Sequence, residues 1–120
     1  MRAADFRRIA LGMKGALEGA HMDHPDFRVN NRIFASLHSG DEFGMVALTP
    51  EQQREFIDRH PDIFTPEAGA WGRAGSTRVL LPSAFEEVIG EALTVAWQNA
   101  VRKGTTKPSK PKPARKSTRR

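Results

Sequence analysis

The sequence contains no cysteine among its 120 residues. That absence excludes a disulfide framework, thiol-based catalysis and cysteine-ligated metal sites. No apolar run approaches the roughly 18 residues of a transmembrane helix. The basic N-terminus is not followed by the apolar segment of a secretory signal. A chain of this length forms one domain. Because neither a membrane span nor a secretory signal is recognised, we expect a soluble, cytoplasmic protein that does not contact membranes.

Acidic residues are absent from the C-terminal segment 102–120, which carries nine of the nineteen Lys and Arg residues. Residues 1–101 therefore have a net charge of −4 and the tail one of +9. The tail has several prolines and no large apolar side chain, so we predict that it is disordered. It is expected to bind phosphate backbones by counterion release, although a merely solubilising tail has the same composition. The cations assigned to this contact are Lys103, Lys107, Lys110, Lys112, Arg115, Lys116, Arg119 and Arg120.

Apolar periodicity and capping signals predict three helices. The first covers about residues 3–14, and the second begins at the capping box of Thr49 and runs to about His60. The second helix has few apolar residues, so it lies on the periphery. After a further capping box at residues 83–86, a broad apolar stripe beginning at Phe85 predicts the main core helix.

A hairpin is predicted between Phe27 and His38. A two-residue loop at Asn30-Asn31 would set Val29 opposite Arg32 and turn Ile33 to the wrong face. A three-residue loop, 30–32, places Val29 opposite Ile33 and brings the apolar residues of both strands onto one face, so we predict the longer loop. On that register Arg28 and Phe34 point to the opposite face, an arrangement that a nucleic-acid stacking platform uses. The alternative is that Phe34 is covered by a neighbouring loop or is ordinary edge surface.

The stretch from Ala68 to Leu81 is a tight corner that feeds an apolar strand. Its glycines are three residues apart, a density used where φ is positive or backbones pass closely. Trp71 and Arg73 stand between these glycines, and Trp71 is expected to anchor the core beneath the turn. Alternation of Thr77, Val79 and Leu81 with polar residues predicts a half-buried strand.

Four segments together resemble the MmcQ/YjbR family. They are the first helix, the run HPDFRVNNRIFASL, the T-P-E-Q helix start, and WG-x-x-G-x-T-x-V-x-L followed by a helix with an Ala-Trp pair. The similarity covers about residues 3–101. It implies a compact fold related in outline to frataxin-like proteins and a "double-wing" DNA-binding role, and it implies no known reaction. One wing would consist of Arg28, Asn30, Asn31 and Arg32, and the other of residues 71–78, with Arg73 and Arg78 as its cations.

Catalytic and metal-binding motifs have no positive support. His21 and His24, three apart on an extended chain, face opposite ways and lack a third ligand. The glycines of the corner precede a strand rather than a helix, unlike a phosphate loop. We therefore expect no enzyme activity, metal or cofactor.

The sequence predicts an α+β two-layer sandwich over residues 1–101, with N- and C-terminal helices on one face of an antiparallel sheet, a peripheral third helix, and the tail 102–120. Its predicted function is non-enzymatic DNA binding, to duplex DNA without sequence preference, through two β-wings and the tail. A small-ligand or protein-binding module with a pocket at Trp71 and Phe34 is the alternative.

Overall fold

The computed structural model describes residues 1–21, 24–38, 40 and 42–105. These residues form four α-helices, six strands and a short 3-10 turn at Leu81–Ser83. The helices are α1 (Ala3–Leu11), α2 (Pro50–Arg59), α3 (Gly69–Arg73) and α4 (Glu86–Thr105). The strands are β1 (Leu17–His21), β2 (His24–Val29), β3 (Arg32–Leu37), β4 (Phe43–Ala47), β5 (Phe64–Pro66) and β6 (Ser76–Leu80).

The strands form one antiparallel sheet in the order β1-β2-β3-β4-β6-β5. Both α1 and α4 pack on one face of the sheet and against each other. The ring of Phe6 on α1 lies 6.2 Å from that of Phe27 on β2. α2 lies beside β5 and β6. The predicted α+β sandwich with terminal helices on one face is confirmed.

The core follows the periodicity of the sequence. Thr77, Val79 and Leu81 are fully buried, as their alternation predicted. Phe85 departs from the predicted stripe because α4 begins one residue later, at Glu86, and its ring is 50% exposed. The stripe of α4 otherwise supplies Val88, Ile89, Ala92, Leu93, Ala96 and Ala100 to the core.

The hairpin of β2 and β3 has a register different from the predicted one. Its loop has two residues, Asn30 and Asn31, both with positive φ, 53° and 65°. Two adjacent residues in this conformation are typical of a type I′ turn, whose twist matches that of the flanking strands. Val29 therefore pairs with Arg32, and Arg28 pairs with Ile33. The predicted three-residue loop is wrong.

A β-bulge resolves the conflict that the two-residue loop creates. Beyond the pair of Arg28 and Ile33 the register shifts, and Phe27 pairs with Ala35. Phe34 is the extra residue on β3, and it is fully buried, whereas Ile33 is 36% exposed. A bulge turns two successive side chains of one strand toward the same partner. The predicted exposure of Phe34 on a stacking platform is therefore wrong.

Substitution of Asn31 tests this turn. Asn31→Gly is expected to raise the free energy of unfolding by up to about 1 kcal/mol, because glycine adopts positive φ without steric cost. Asn31→Ala is expected to lower it by about 1 kcal/mol. Urea denaturation of both variants measures the difference. Stabilisation by alanine would contradict the observed turn.

Candidate nucleic-acid interface

A groove of about 600 Å³ opens where the turn of β2 and β3 approaches the C-terminal end of α4. We call it the hairpin-end groove. Four cationic residues line it, Arg28 and Arg32 from the hairpin and Arg102 and Lys103 from α4. Its described lining contains no acidic residue. A concave surface lined by charges of one sign, here positive, focuses the electrostatic field and attracts an approaching anion.

Hydrogen bonds attach the α4 side of this groove to β4 and α2. The side chain of Asn99 on α4 donates to the carbonyl of Ala47 at 3.3 Å and to Gln52 Oε1 at 2.8 Å. Gln52 also belongs to the capping box of α2, in which Thr49 Oγ1 accepts from the Gln52 amide. The end of α4 is thus attached to β4 and to the first turn of α2.

α4 extends further than the sequence analysis assumed. It runs to Thr105, so Arg102 and Lys103, which we assigned to the tail, lie on its last turn. Basic residues at this position also complement the helix dipole. Arg102 was not among the residues that we predicted to bind DNA. Its place three residues after Asn99 on one helix face is the signal that would have found it.

The second predicted wing, residues 71–78, begins in a helix and ends in strand β6. Residues 69–73 form α3, and Trp71 on this helix is 76% exposed. The expectation that Trp71 anchors the core is wrong. The glycines play the predicted role instead: a Cβ on Gly72 would lie 1.7 Å from the Glu67 carbonyl oxygen, and one on Gly75 would lie 2.0 Å from that of Leu48.

Arg28 is tied to its own strand. Its Nε donates to Asp26 Oδ1 at 2.7 Å and its terminal nitrogen to Asp26 Oδ2 at 3.0 Å. The hydrogen bond and the charge of Asp26 raise the pKa of Arg28 above its ordinary value, against a smaller opposing effect of desolvation. Asp26 is fully buried. Arg28 stays charged at any physiological pH, and part of its hydrogen-bonding capacity is already used.

Arg78 lies on the sheet face opposite α1 and α4, within a polar cluster. It donates to Glu67 Oε1 at 3.2 Å, and its guanidinium stands 4.9 Å from the centre of the Phe43 ring. His38 Nε2 lies 3.0 Å from the other oxygen of Glu67. Arg78 is therefore engaged within the protein rather than displayed on a wing.

The predicted site residues thus separate into groups. Arg28, Asn31 and Arg32 meet Lys103 at the groove, and Asn30 lines a neighbouring depression of about 340 Å³ beside β1. Arg73 is exposed on α3, and it makes no ion pair within the described part of the chain. The remaining cations assigned to the tail, from Lys107 to Arg120, lie outside the described residues.

The alternative pocket is not found at the predicted place. Phe34 is in the core and Trp71 is on the surface, and neither lines either of the two depressions described. Nothing in the geometry brings these two side chains to a common ligand.

The histidines do not assemble a metal centre in the described ranges. His24 and His38 face each other with ring centres 6.1 Å apart, and Nδ1 of His24 is buried without a hydrogen-bond partner. Within residues 1–21, 24–38, 40 and 42–105, no three His, Cys, Asp or Glu side chains are grouped closely enough to hold a metal ion. Asp23 lies outside those ranges.

A helix crosses a bilayer only if it is long enough and apolar enough to span the hydrocarbon core. Among the helices that the structure describes, none combines the length and the apolar composition needed to cross a membrane.

Comparison with known proteins identifies the family. The family model for YjbR matches residues 11–99, which is most of the folded part and well over half of the chain. The chain belongs to the YjbR family. The resemblance seen in the four sequence segments is thereby confirmed.

A solved structure shares the fold. Protein DR2400 of Deinococcus radiodurans, described by its DUF419 domain, superposes with a TM-score of 0.73 at 22% sequence identity. The match covers 89% of this chain and 84% of that one. At this identity the likeness shows a common fold. Comparison with curated proteins gives no match.

Proposed function

We propose that this YjbR-family protein is a non-enzymatic protein that binds DNA through the phosphate backbone, using the hairpin-end groove and the basic segment that follows α4. The observation that carries the proposal is the convergence of cations. Arg32 and Arg102 are 70 positions apart in sequence, yet they line one groove, and its described lining contains no Asp or Glu. Clustered cations of this kind supply the electrostatic term that dominates nucleic-acid affinity.

The arrangement of charge along α4 supports the proposal despite the acidic balance of residues 1–101. Glu86 and Glu87 occupy the first turn, and Arg102 and Lys103 the last. At 1.5 Å per residue, the two ends are separated by about 24 Å, more than twice the screening length in physiological salt. A polyanion at the basic end is therefore little affected by these two acids.

The sequence that follows α4 adds further positive charge to this end of the chain. Residues 106–120 carry seven further Lys and Arg residues and no Asp or Glu, and this segment begins where α4 ends, beside the groove. The groove and the segment can therefore contact one stretch of backbone together. Contacts of cations with phosphates carry no sequence information, so the expected binding has little sequence preference.

Removal of the groove cations tests the proposal. In Arg32→Ala/Arg102→Ala/Lys103→Ala, each lost phosphate contact reduces the slope of log K against log salt by about 0.9. A fall of about 2 to 3 units is expected, measured by fluorescence anisotropy with a short duplex over about 50 to 200 mM KCl.

The matched control removes three cations at the end of the domain remote from the groove, Arg2→Ala/Arg8→Ala/Arg59→Ala. The N-terminal ammonium of Met1 donates to the carbonyls of Leu81 and Ala84 at this end, and Arg8 and Arg59 pair there with Glu86 and Glu91 in the first two turns of α4. The control has the same change in net charge, and the exposed ion pairs that it removes contribute little to stability. Equal losses in the two triple variants would contradict a role for the groove.

A further inference from the structure

Trp71 is the side chain whose position the proposed backbone contacts do not explain. It has the highest exposure, 76%, among the large hydrophobic residues described as exposed. Burying an indole removes a large apolar surface from water, and this fold leaves it uncovered. Exposed aromatic side chains beside cations are the parts from which single-strand binding surfaces are built.

The support beneath Trp71 is closely packed. Gly72 and Gly75 pass so near to the backbone of Glu67 and Leu48 that neither position has room for a Cβ. The side-chain amide of Gln53 donates to the carbonyls of Gly72 and Ser76, both at 3.0 Å. An aromatic ring on such a support loses little conformational entropy when it binds, so stacking on it is inexpensive.

α3 also lies at the same end of the sheet as the groove. The amide of Leu48, a residue of the groove wall, donates to the carbonyl of Gly75 at 3.4 Å. The starts of β3 and β6 are two strand spacings apart, about 10 Å. Arg73 on the same helix is exposed. A strand that leaves the groove along this end of the sheet can therefore reach the indole.

We infer that Trp71 stacks on an unpaired base of DNA whose backbone is held in the hairpin-end groove, an inference that rests on the proposed function. The ligand class is single-stranded DNA in preference to duplex DNA. In a duplex both faces of each internal base are already stacked, so the indole has nothing to cover. In a single strand each base presents a free π face, and stacking does not depend on base identity.

The test uses the full chain and three fluorescein-labelled probes with the same number of phosphates per strand. They are an oligodeoxythymidine of about 12 nucleotides, within the site size of such proteins, its duplex with oligodeoxyadenosine, and an abasic strand. Trp71→Leu keeps an apolar side chain but has no π face. It is expected to weaken binding to the oligodeoxythymidine roughly five- to hundredfold and to leave the duplex and the abasic strand within about twofold.

Trp71→Phe provides the conservative comparison and retains most of the affinity, since a smaller ring still stacks. Phe85→Leu is the matched control, an exposed aromatic at the opposite end of β6, and it changes none of the three affinities. Circular dichroism verifies that each variant is folded. Equal losses on all three probes, or no loss for Trp71→Leu, would overturn stacking while the groove still binds DNA. Failure of the wild-type chain to bind any probe would overturn both the stacking and the proposed function.

Discussion

Gly75→Ala is expected to lower the free energy of unfolding by about 3 kcal/mol or more. Gly75 has a φ of 117°, where L residues are strained, and its added Cβ would lie 2.0 Å from the carbonyl oxygen of Leu48. Both partners in that contact are backbone atoms, so neither a rotamer change nor a small shift relieves it. A small domain is stable by only about 5–15 kcal/mol, so this loss is a large part of the total free energy of unfolding.

Gly69→Ala is the control for this prediction. Gly69 also has a positive φ, 69°, but nothing lies within 4 Å of an added Cβ. Its cost is limited to the conformational penalty, about 1–2 kcal/mol. Guanidinium denaturation of both variants measures the difference. Equal destabilisation would show that Leu48 and Gly75 are not in contact as described.

Neutralising the seven cations of residues 106–120 is expected to produce the largest loss of DNA binding. With every Lys and Arg of this segment changed to Gln in the full-length chain, the slope of log K against log salt falls by up to about 6 units. Affinity at physiological salt then falls by several orders of magnitude, because counterion release from each contact is lost. Anisotropy titrations at several salt concentrations measure both quantities.

A variant with the same segment in scrambled order separates charge from sequence. It keeps the seven cations and the composition, so binding by counterion release is retained within about twofold. A scrambled segment that loses as much affinity as the neutralised one would contradict backbone binding and point to a specific peptide contact.

Much of the fold was predictable because a buried face requires apolar residues at regular intervals along a strand or a helix. In β6 and the residue after it, the alternation of Thr77, Val79 and Leu81 required only that one face be covered, and α4 required only a stripe of apolar positions. These are local patterns with a single structural solution. The family resemblance added the order in which the elements follow one another.

The hairpin register was not predictable in this way. Asn30-Asn31 is a good type I′ turn, but a regular ladder from it turns Ile33 away from the core, and the prediction rejected it for that reason. The chain accepts this cost and recovers the core with one extra residue, Phe34. Formation of a bulge depends on whether the core beneath the helices has room for the extra side chain, and the local sequence does not contain that information.

The corner at Trp71 shows a related limit. The density of glycine indicated close backbone approach, and this is what Gly72 and Gly75 do. A helix of five residues is too short for periodicity, so α3 was missed. Tryptophan is buried in most folded proteins, so burial of Trp71 was the default prediction. Its exposure depends on how the distant parts of the chain pack around α3.

The candidate site was only partly predictable because it is assembled from distant segments. The hairpin cations and the basic end were each recognised, but their meeting at one groove depends on the length of α4 and on the Asn99 contacts. Arg28 and Arg78 were predicted as displayed cations. Arg28 instead pairs with Asp26 on its own strand, and the ion pair of Arg78 with Glu67 depends on the segment that follows the neighbouring strand β5.

Chemical-shift mapping of the ¹⁵N-labelled full chain with duplex DNA locates the contact surface directly. The amides around the hairpin-end groove, in residues 30–33, 47–49 and 96–103, are expected to shift most within the domain and in proportion to DNA added. Amides at the opposite end, in residues 1–8 and 81–87, are expected to stay in place. Shifts confined to residues 106–120, or centred on the opposite end, would contradict the groove as the DNA-binding surface.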